Sequence, residues 1–220
     1  MTFLRDLLPT DPWNRGAFVL FIAIWTLSCI HVPYPKYFWL QHVPTVAVVG
    51  TLVAVQNRLA ISRTSYTLIL AFMGLHLLGA RYLYSYVPYD IWSEQLAGLS
   101  ITDRFGFTRN HYDRVVHFFY GALLTVPAWR FVRRFAGAGT GWGALFAFSL
   151  IMASSAAYEV FEWLVAITMA PDWAESYNGQ QGDPWDSQSD TALAGVGAVV
   201  ALAVGAIGHH RLLASPDRPR

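Results

Sequence analysis

The 220-residue sequence contains little cysteine and little charge. Cys29 is the only cysteine, which excludes an intramolecular disulfide and any metal cluster bound by cysteines. Charged residues make up 13% of the chain, and its formal net charge is +1. The basic residues form no long run and no patch interleaved with aromatic residues. The sequence therefore gives no reason to expect nucleic acid as a partner.

Apolar residues dominate the chain. Hydrophobic residues account for 55% and aromatic residues for 15% of the sequence, which is typical of a polytopic membrane protein. A helix needs about 20 apolar residues to cross about 30 Å of hydrocarbon, and six segments are long enough. We therefore predict one integral membrane domain over residues 1–220, an all-α bundle of six transmembrane helices in the lipid bilayer. The predicted segments are 16–33, 38–55, 65–87, 114–132, 142–169 and 188–208.

Basic and acidic residues separate between the two sides of the predicted bundle. Basic residues favour the cytoplasmic side of a membrane protein, and a cytoplasmic N-terminus places ten of the fifteen basic residues there. The same orientation puts eleven of the fourteen acidic residues toward the outer side. We therefore expect both termini to be cytoplasmic. The ten basic residues are Arg5, Arg15, Arg58, Arg63, Arg130, Arg133, Arg134, Arg211, Arg218 and Arg220.

Several ionisable residues fall inside the apolar segments. A charged side chain in hydrocarbon is costly and usually faces the interior of a bundle, so these residues call for a common explanation. They are His76, Arg81, Asp113, His117, Glu159 and Glu162.

The spacing of these residues places them on shared helical faces. Side chains three or four positions apart lie on one side of a helix. Four predicted helices would therefore bring polar groups together in the outer leaflet, with His76 deeper than Arg81. The spaced pairs are Asp113 with His117, Glu159 with Glu162, and Asp186 with Asp190.

This constellation allows three interpretations. Carboxylates and imidazoles on facing helices can bind zinc, manganese, iron or magnesium. They can also perform general acid–base catalysis, with a carboxylate orienting His117 and a buried glutamate supplying a proton. Alternatively, Arg81 and Arg114 could neutralise the acids in a purely structural polar plug.

We favour a functional cavity, because small-residue packing would hold helices together at a lower desolvation cost. The candidate catalytic residues are Asp113, His117, Glu159 and Asp190. The candidate metal ligands are His76, Glu162 and Asp186, which could share Asp113, His117 and Glu159.

A polar segment from Gly179 to Asp186 precedes the last predicted helix. Its two glycines permit tight bends, and its glutamine amides offer both donors and acceptors. We expect it to cover the cavity, although it also fits an ordinary polar loop with an interfacial tryptophan. The candidate substrate-binding residues are Arg81, Gln180, Gln181 and Asp183.

Four motifs resemble a known family. They are G-A-R-Y-x-Y-S-x-V-P at 79–88, N-H-Y-D-R-x-V-H-F at 110–118, Y-E-V-x-E-W at 158–163 and Y-N-G-Q-Q-G-D-x-W-D-x-Q-x-D at 177–190. With these motifs the chain resembles the YjdF-type family of bacterial inner-membrane proteins. The resemblance implies a small multi-pass protein of the bacterial inner membrane with no settled activity.

A more distant resemblance concerns the VanZ-like proteins. The D-R-x-x-H from Asp113 to His117 is similar to their D-K-x-x-H, with Arg114 in place of the lysine. Glu159 and the later aspartates resemble their helix glutamate and closing aspartates, but the asparagine expected after the final aspartate is absent from the last segment. This resemblance implies a role in the cell envelope connected with glycopeptide resistance.

Three functions follow as hypotheses. The first is a membrane-embedded hydrolase or transferase that acts on a lipid or lipid-linked envelope substrate with a divalent metal ion as cofactor. The second is a small transporter coupled to protons or cations. The third is a non-catalytic envelope or resistance accessory protein whose acids form a structural plug. The sequence does not indicate an oligomeric state.

Overall fold

The computed structural model describes residues 7–169 and 179–207, and these residues form helices joined by turns, with no strand. The predicted all-α fold is therefore confirmed. The two chain termini, position 208 of the last predicted segment, and Tyr177 and Asn178 of the fourth motif lie outside the described residues. Eight helices lie wholly within them: α1 Pro12–Ser28, α2 Pro35–Leu59, α3 Arg63–Arg81, α4 Tyr89–Ala97, α5 Ile101–Phe105, α6 Tyr112–Phe135, α7 Thr140–Thr168 and α8 Asp186–Ile207.

Four of the described helices are long and apolar enough to cross a membrane, namely α2, α6, α7 and residues Asp186–Ala206 of α8. α1 has 17 residues and α3 has 19, so each is about 26 to 29 Å long at about 1.5 Å per residue. These two helices are close to the length of a span. By length and composition, the described residues contain four candidate spans, and the count of six stays a prediction.

Two helices end earlier than the sequence predicts. The segment predicted to reach residue 33 ends at Ser28, and the segment predicted to reach residue 87 ends at Arg81. After Arg81, Leu83 and Tyr84 adopt positive φ angles of 53° and 54°, a conformation that cannot continue a right-handed helix. The N–H of Tyr84 donates to the carbonyl of Gly79, so the chain folds back against the end of α3.

The second predicted segment is one continuous helix despite its internal proline. α2 runs for 25 residues through Pro44. His42 and Thr45, on either side of this proline, are buried. α2 therefore carries polar side chains into the protein interior near Pro44.

Small residues bring α6 and α8 into the most extensive helix contact of the described chain. A Cβ atom on Gly121 of α6 would collide with the carbonyl oxygen of Ala194, and one on Gly197 of α8 with that of Phe118. Glycine is needed at both positions because the two backbones approach so closely. This contact fixes the register of α6 against α8.

The two ends of α6 differ in charge. Asp113 lies in its first turn, and Arg133 and Arg134 lie in its last turn. At about 1.5 Å per residue, Asp113 and Arg130 are about 26 Å apart along the helix, which approaches the thickness of a hydrocarbon core. The C-terminal end of α2 and the start of α3 lie beside the basic end of α6, where Arg134 donates to the carbonyl of Leu59.

Candidate functional site

Asp113 and His117 occupy the first two turns of α6. Both are buried, and Oδ1 of Asp113 lies 3.6 Å from Nε2 of His117. The helix begins after Asn110 and His111, where Oδ1 of Asn110 accepts from the N–H of Tyr112. The Asn110 side-chain amide donates to the carbonyl of Val87. This loop therefore ties the start of α6 to the segment that follows α3.

Asp190 completes a compact group of three potential ligands. It lies on α8 and is only 1% exposed. One ligand atom from each of Asp113, His117 and Asp190 lies within 4.8 Å of the others, and the described part of the chain contains no other such group of three. Oxygen and nitrogen ligands at this separation suit a divalent ion such as zinc or manganese.

α7 contributes two buried glutamates to the same region. Oε1 of Glu159 lies 3.7 Å from Nε2 of His117, and Ser187 hydrogen-bonds to the Glu159 side chain. Oε1 of Glu159 and Oδ1 of Asp190 are both buried, and neither has a hydrogen-bond partner among the described residues. Oδ1 of Asp190 lies 3.6 Å from Nε of Arg114, too far for a hydrogen bond. A buried carboxylate oxygen without a hydrogen bond is energetically expensive, so these two atoms mark the place where a ligand would be favourable.

A cavity of about 200 Å³ opens beside this cluster. Asp113, His117 and Glu162 form part of its wall, together with His76 and Tyr84. Most of the remaining lining is apolar or aromatic. The described residues that complete the wall are Pro44, Val48, Phe72, Met73, Val116, Tyr120, Ser154, Ser155 and Tyr158.

Two arginines neutralise the outer edge of the cluster. Asp186 accepts from Arg109 at 2.6 Å and from Arg114 at 3.1 Å. Arg114 also lies 2.7 Å from Asp183. Asp183 lies in the loop before α8, where a hydrogen bond from the N–H of Trp185 and the two nearby guanidinium groups keep the pKa of its carboxyl below the usual value. These contacts fasten the Asp183–Asp186 region to the start of α6.

Arg109 was not predicted from the sequence. It lies three residues before α6, outside the predicted apolar segments. Electrostatics could have indicated a residue such as Arg109, because a buried aspartate such as Asp186 requires a cation. The sequence contains several basic residues that could meet that requirement, and spacing alone does not distinguish them.

His76 lines the cavity but is bonded to residues outside the acidic cluster. Its Nε2 lies 2.7 Å from Oγ1 of Thr45, and its Nδ1 pairs with the hydroxyl of Tyr84. Oγ1 of Thr45 in turn lies 3.4 Å from Nδ1 of His42. His76 and Asp186, two predicted metal ligands, thus have other partners in this structure.

The segment from Gly179 to Asp186 lies against the loop that precedes α6. The side-chain oxygen of Gln181 accepts from the N–H of Asn110, and its amide donates to the carbonyls of Asn110 and Gly179. The carbonyl of Gln180 accepts from Arg109. Both predicted substrate-binding glutamines therefore take part in holding this segment in place.

Arg81 lies away from the acidic cluster. Its guanidinium group donates to the carbonyls of Ser28, Ile30 and His31, which follow or end α1. Lysine and arginine side chains commonly cap the carbonyls at a helix C-terminus. Arg81 thus joins the ends of α3 and α1. The cations near the acids are Arg109 and Arg114.

Comparisons with known proteins give the family context. A family model described as "Predicted membrane protein (DUF2238)" matches residues 14–211. The inner membrane protein YjdF of Escherichia coli strain K12 is 33% identical over 203 residues, which cover 91% of each chain. No solved structure matches the chain.

Proposed function

Because this chain belongs to the DUF2238 family of predicted membrane proteins, we propose that it is a membrane-embedded metal-dependent hydrolase or transferase. The acidic cluster binds a divalent ion, and the adjacent cavity receives part of a lipid or lipid-linked substrate. The chain is an inner-membrane protein, as its relative is.

The observation that carries this proposal is the grouping of Asp113, His117 and Asp190 within 4.8 Å. A set of two carboxylates and one imidazole leaves positions on a divalent ion for water and substrate. When bound, such an ion would polarise a phosphoryl or acyl oxygen and activate a water molecule. Oδ1 of Asp190 also supports the proposal, because it has no hydrogen-bond partner among the described residues and its ion pair with Nε of Arg114 is long, at 3.6 Å.

The charge balance of the cluster also favours a cation. Arg109 and Arg114 pair with Asp183 and Asp186, and the remaining carboxylates outnumber the arginines. Buried acids without a counter-charge are unstable unless they bind protons or a metal ion. Asp190 lies 3.6 Å from Nε of Arg114, and among the described residues no arginine forms an ion pair with Asp113, Glu159 or Glu162.

Residues of the protein itself supply the other functions of the proposed site. Nε2 of His117 lies 3.6 Å from Asp113 and 3.7 Å from Glu159, so its imidazole can exchange a proton with either carboxylate after a small movement. Glu162 faces the cavity and can take up or release a proton next to the substrate. The apolar wall around Val48 and Phe72 excludes water and accommodates an apolar chain.

Metal binding provides the direct test. The full chain, purified in detergent and stripped with chelator, is titrated with zinc and manganese, and bound metal is measured by elemental analysis after gel filtration. We expect one ion per chain, with about a 10-fold or greater loss of affinity for Asp190→Asn and Asp113→Asn. Asp103→Asn removes an exposed acid from α5 and serves as the matched control. Equal metal content in all four proteins would contradict the proposal.

Catalysis requires a separate measurement. The metal-loaded protein is incubated with a panel of phospholipids and polyprenyl-linked phosphates, and water-soluble products are separated by mass spectrometry. We expect turnover that Glu162→Gln abolishes while the bound metal remains. Turnover that is unchanged in this variant would refute the role assigned to Glu162.

Proton or cation transport is the second candidate function, and one observation favours it. A chain of hydrogen bonds leads from Tyr84 at the cavity through His76 and Thr45 toward His42. Nε2 of His42 is buried and has no partner among the described residues. Thr45→Val would interrupt this chain with little change in size. If transport is the function, proteoliposomes containing a pH-sensitive dye will show proton flux that this variant loses.

The proposed topology has six spans with both termini cytoplasmic. The charge difference between the two ends of α6 supports this orientation, and α1 and α3 are close to spanning length. Cysteine labelling can test it in a Cys29→Ser background, with Ser100→Cys between α4 and α5 as the reporter. We expect labelling from outside the cell. Labelling only from the cytoplasm would reverse the orientation.

A further inference from the structure

The polarity of the cavity beside the acidic cluster changes in steps along its α6 and α7 walls. At one end the wall carries the ionisable side chains of Asp113, His117 and Glu162. Tyr120 and Ser155 come next along the two helices, and their side chains end in uncharged hydroxyl groups. At about 1.5 Å per helical residue, Ser155 lies about 10 Å from Glu162 along α7. The wall therefore passes from charged groups to hydroxyl groups.

An apolar region follows the hydroxyl groups. Ile151 lies one turn beyond Ser155 on α7 and is buried with Ala194 of α8. The α3 side of the cavity is also apolar, with Phe72 and Met73 in its wall. Along the bundle the environment is therefore first charged, then hydroxyl-bearing and then apolar.

The hydroxyl group of Ser155 is the one that a ligand could use. Ser155 is 2% exposed, and its Oγ has no hydrogen-bond partner among the described residues. Ser154 differs, since its Oγ lies 2.6 Å from the carbonyl oxygen of Leu150 and 2.6 Å from the hydroxyl of Tyr120. A buried hydroxyl group without a partner costs free energy, and a serine hydroxyl can donate one hydrogen bond. An oxygen acceptor in the cavity would therefore be stabilised by Ser155.

The size of the cavity limits how much of a lipid it can hold. Its volume is about 200 Å³, which is below the range of about 300 to 1,000 Å³ for sites that enclose small molecules. Val48 lies in its wall and is 41% exposed. The junction between the head and the chains of a lipid can therefore occupy the cavity while an acyl chain lies outside it against α2.

We propose that the cavity takes the head-to-chain junction of an ester-linked glycerophospholipid, and that Ser155 donates a hydrogen bond to an ester carbonyl. The phosphate would lie at the charged end, the ester beside the hydroxyl groups, and the acyl chains in the apolar region. A polyprenyl phosphate passes directly from phosphate to hydrocarbon and offers Ser155 no acceptor. The inference rests on the proposed function for the position of the phosphate, and it names the substrate class of the same site.

The test compares two neutral lipids, dioctanoylglycerol and dioctylglycerol, which differ in having ester or ether linkages. The full chain is purified in detergent and treated with chelator, and binding of the two lipids in competition is measured by native mass spectrometry. We expect the ester lipid to bind about fivefold more tightly, as one neutral hydrogen bond allows. Equal binding of the two lipids, or binding of neither, would overturn the proposal.

Two variants assign the preference to one residue. Ser155→Ala removes the hydroxyl group and strands no partner, so the variant should fold, and we expect it to bind the two lipids equally. Ser149→Ala makes the same change at an exposed position of α7 and should keep the fivefold preference. A preference that survives in Ser155→Ala, or that is lost equally in Ser149→Ala, would contradict the role of Ser155.

This proposal and the proposed function can fail separately. The lipid comparison uses metal-free protein, so its result does not depend on metal binding. A protein that prefers the ester lipid and takes up no metal would refute the metal-dependent reaction and retain the lipid site. Metal uptake without an ester preference would refute the glycerophospholipid assignment alone.

Discussion

Arg109 and Asp186 form the shortest ion pair among the described residues of the acidic site, with Nη2 of the arginine 2.6 Å from Oδ1 of the aspartate. Their side chains are only 9% and 3% exposed. The pair joins the loop before α6 to the first residue of α8. It therefore joins the two helices at the end that carries Asp113, His117 and Asp190.

The first prediction concerns this ion pair. Arg109→Gln leaves Asp186 with only Arg114 as a cation partner, and breaking a buried pair typically costs about 3 to 5 kcal/mol. We expect a clear fall in the detergent melting temperature, and partial recovery in the double variant Arg109→Gln with Asp186→Asn. The exposed Arg104→Gln is the control. A melting temperature as high as that of the control would show that the pair contributes little.

The second prediction separates a binding site from a structural plug. Glu159→Gln and Asp190→Asn keep the size of the side chains but remove their charge. Because one oxygen of each carboxylate is buried without a hydrogen-bond partner among the described residues, and the ion pair of Asp190 with Arg114 is long at 3.6 Å, both variants should melt at or above the temperature of the metal-free wild type while losing metal affinity. In a plug held by ion pairs, the same changes would lower the melting temperature of the metal-free protein. That result would favour the structural role.

The third prediction is a dependence of stability on pH from His111, at the start of α6. Burial and the nearby Arg109 and Arg114 lower the pKa of His111 below its ordinary value of 6.5, although Asp183 opposes the shift. The unfolded chain therefore binds a proton more readily than the folded chain, so stability falls as pH decreases below about 6.5. Melting curves between pH 8 and pH 5 measure this fall, and His111→Gln should reduce it. An identical pH profile for the variant would exclude His111 as the cause.

The fourth prediction tests the contact between α6 and α8. Gly197→Ala adds a methyl group that would collide with the backbone of Phe118, and overpacking typically costs about 1 to 3 kcal/mol. Gly74→Ala places the same group in α3 with nothing within 4 Å. We expect the first variant to melt below the wild type and the second to melt at or above it. If the two variants melted alike, the close approach of the helices would be in doubt.

Helical spacing predicted which residues of the acidic cluster share a helix face. Asp113 and His117 are separated by one turn of α6, and Asp190 follows Asp186 by one turn of α8, so the sequence indicates which side chains share a face. It also indicates that they are buried, because they interrupt apolar segments. Which helices face one another was inferred from the cost of placing charged side chains in hydrocarbon.

Loop geometry could not be predicted in the same way. The position of Tyr84 beside His76 depends on two successive positive φ angles at non-glycine residues, which L-residues rarely adopt and which no local pattern signals. Arg81 was expected near the acids, but the early end of α1 leaves carbonyl groups that it can reach instead. Arg109 lies in a loop whose position depends on contacts with the distant residue Gln181.

The Gly179–Asp186 segment and the exposed side of α2 bear on how a molecule could enter the cavity beside the acidic cluster. Hydrogen bonds between Gln181 and Asn110 and the ion pair between Asp183 and Arg114 fasten this segment to the start of α6. Val48 lines the cavity and is 41% exposed on the lateral surface of α2. For a molecule that enters past Val48 from the side, the occupancy of the cavity would follow its mole fraction in the surrounding lipid or detergent rather than its aqueous concentration. Apparent binding and kinetic constants measured in micelles should accordingly change with the amount of detergent. Surface-dilution kinetics are the appropriate framework for these constants.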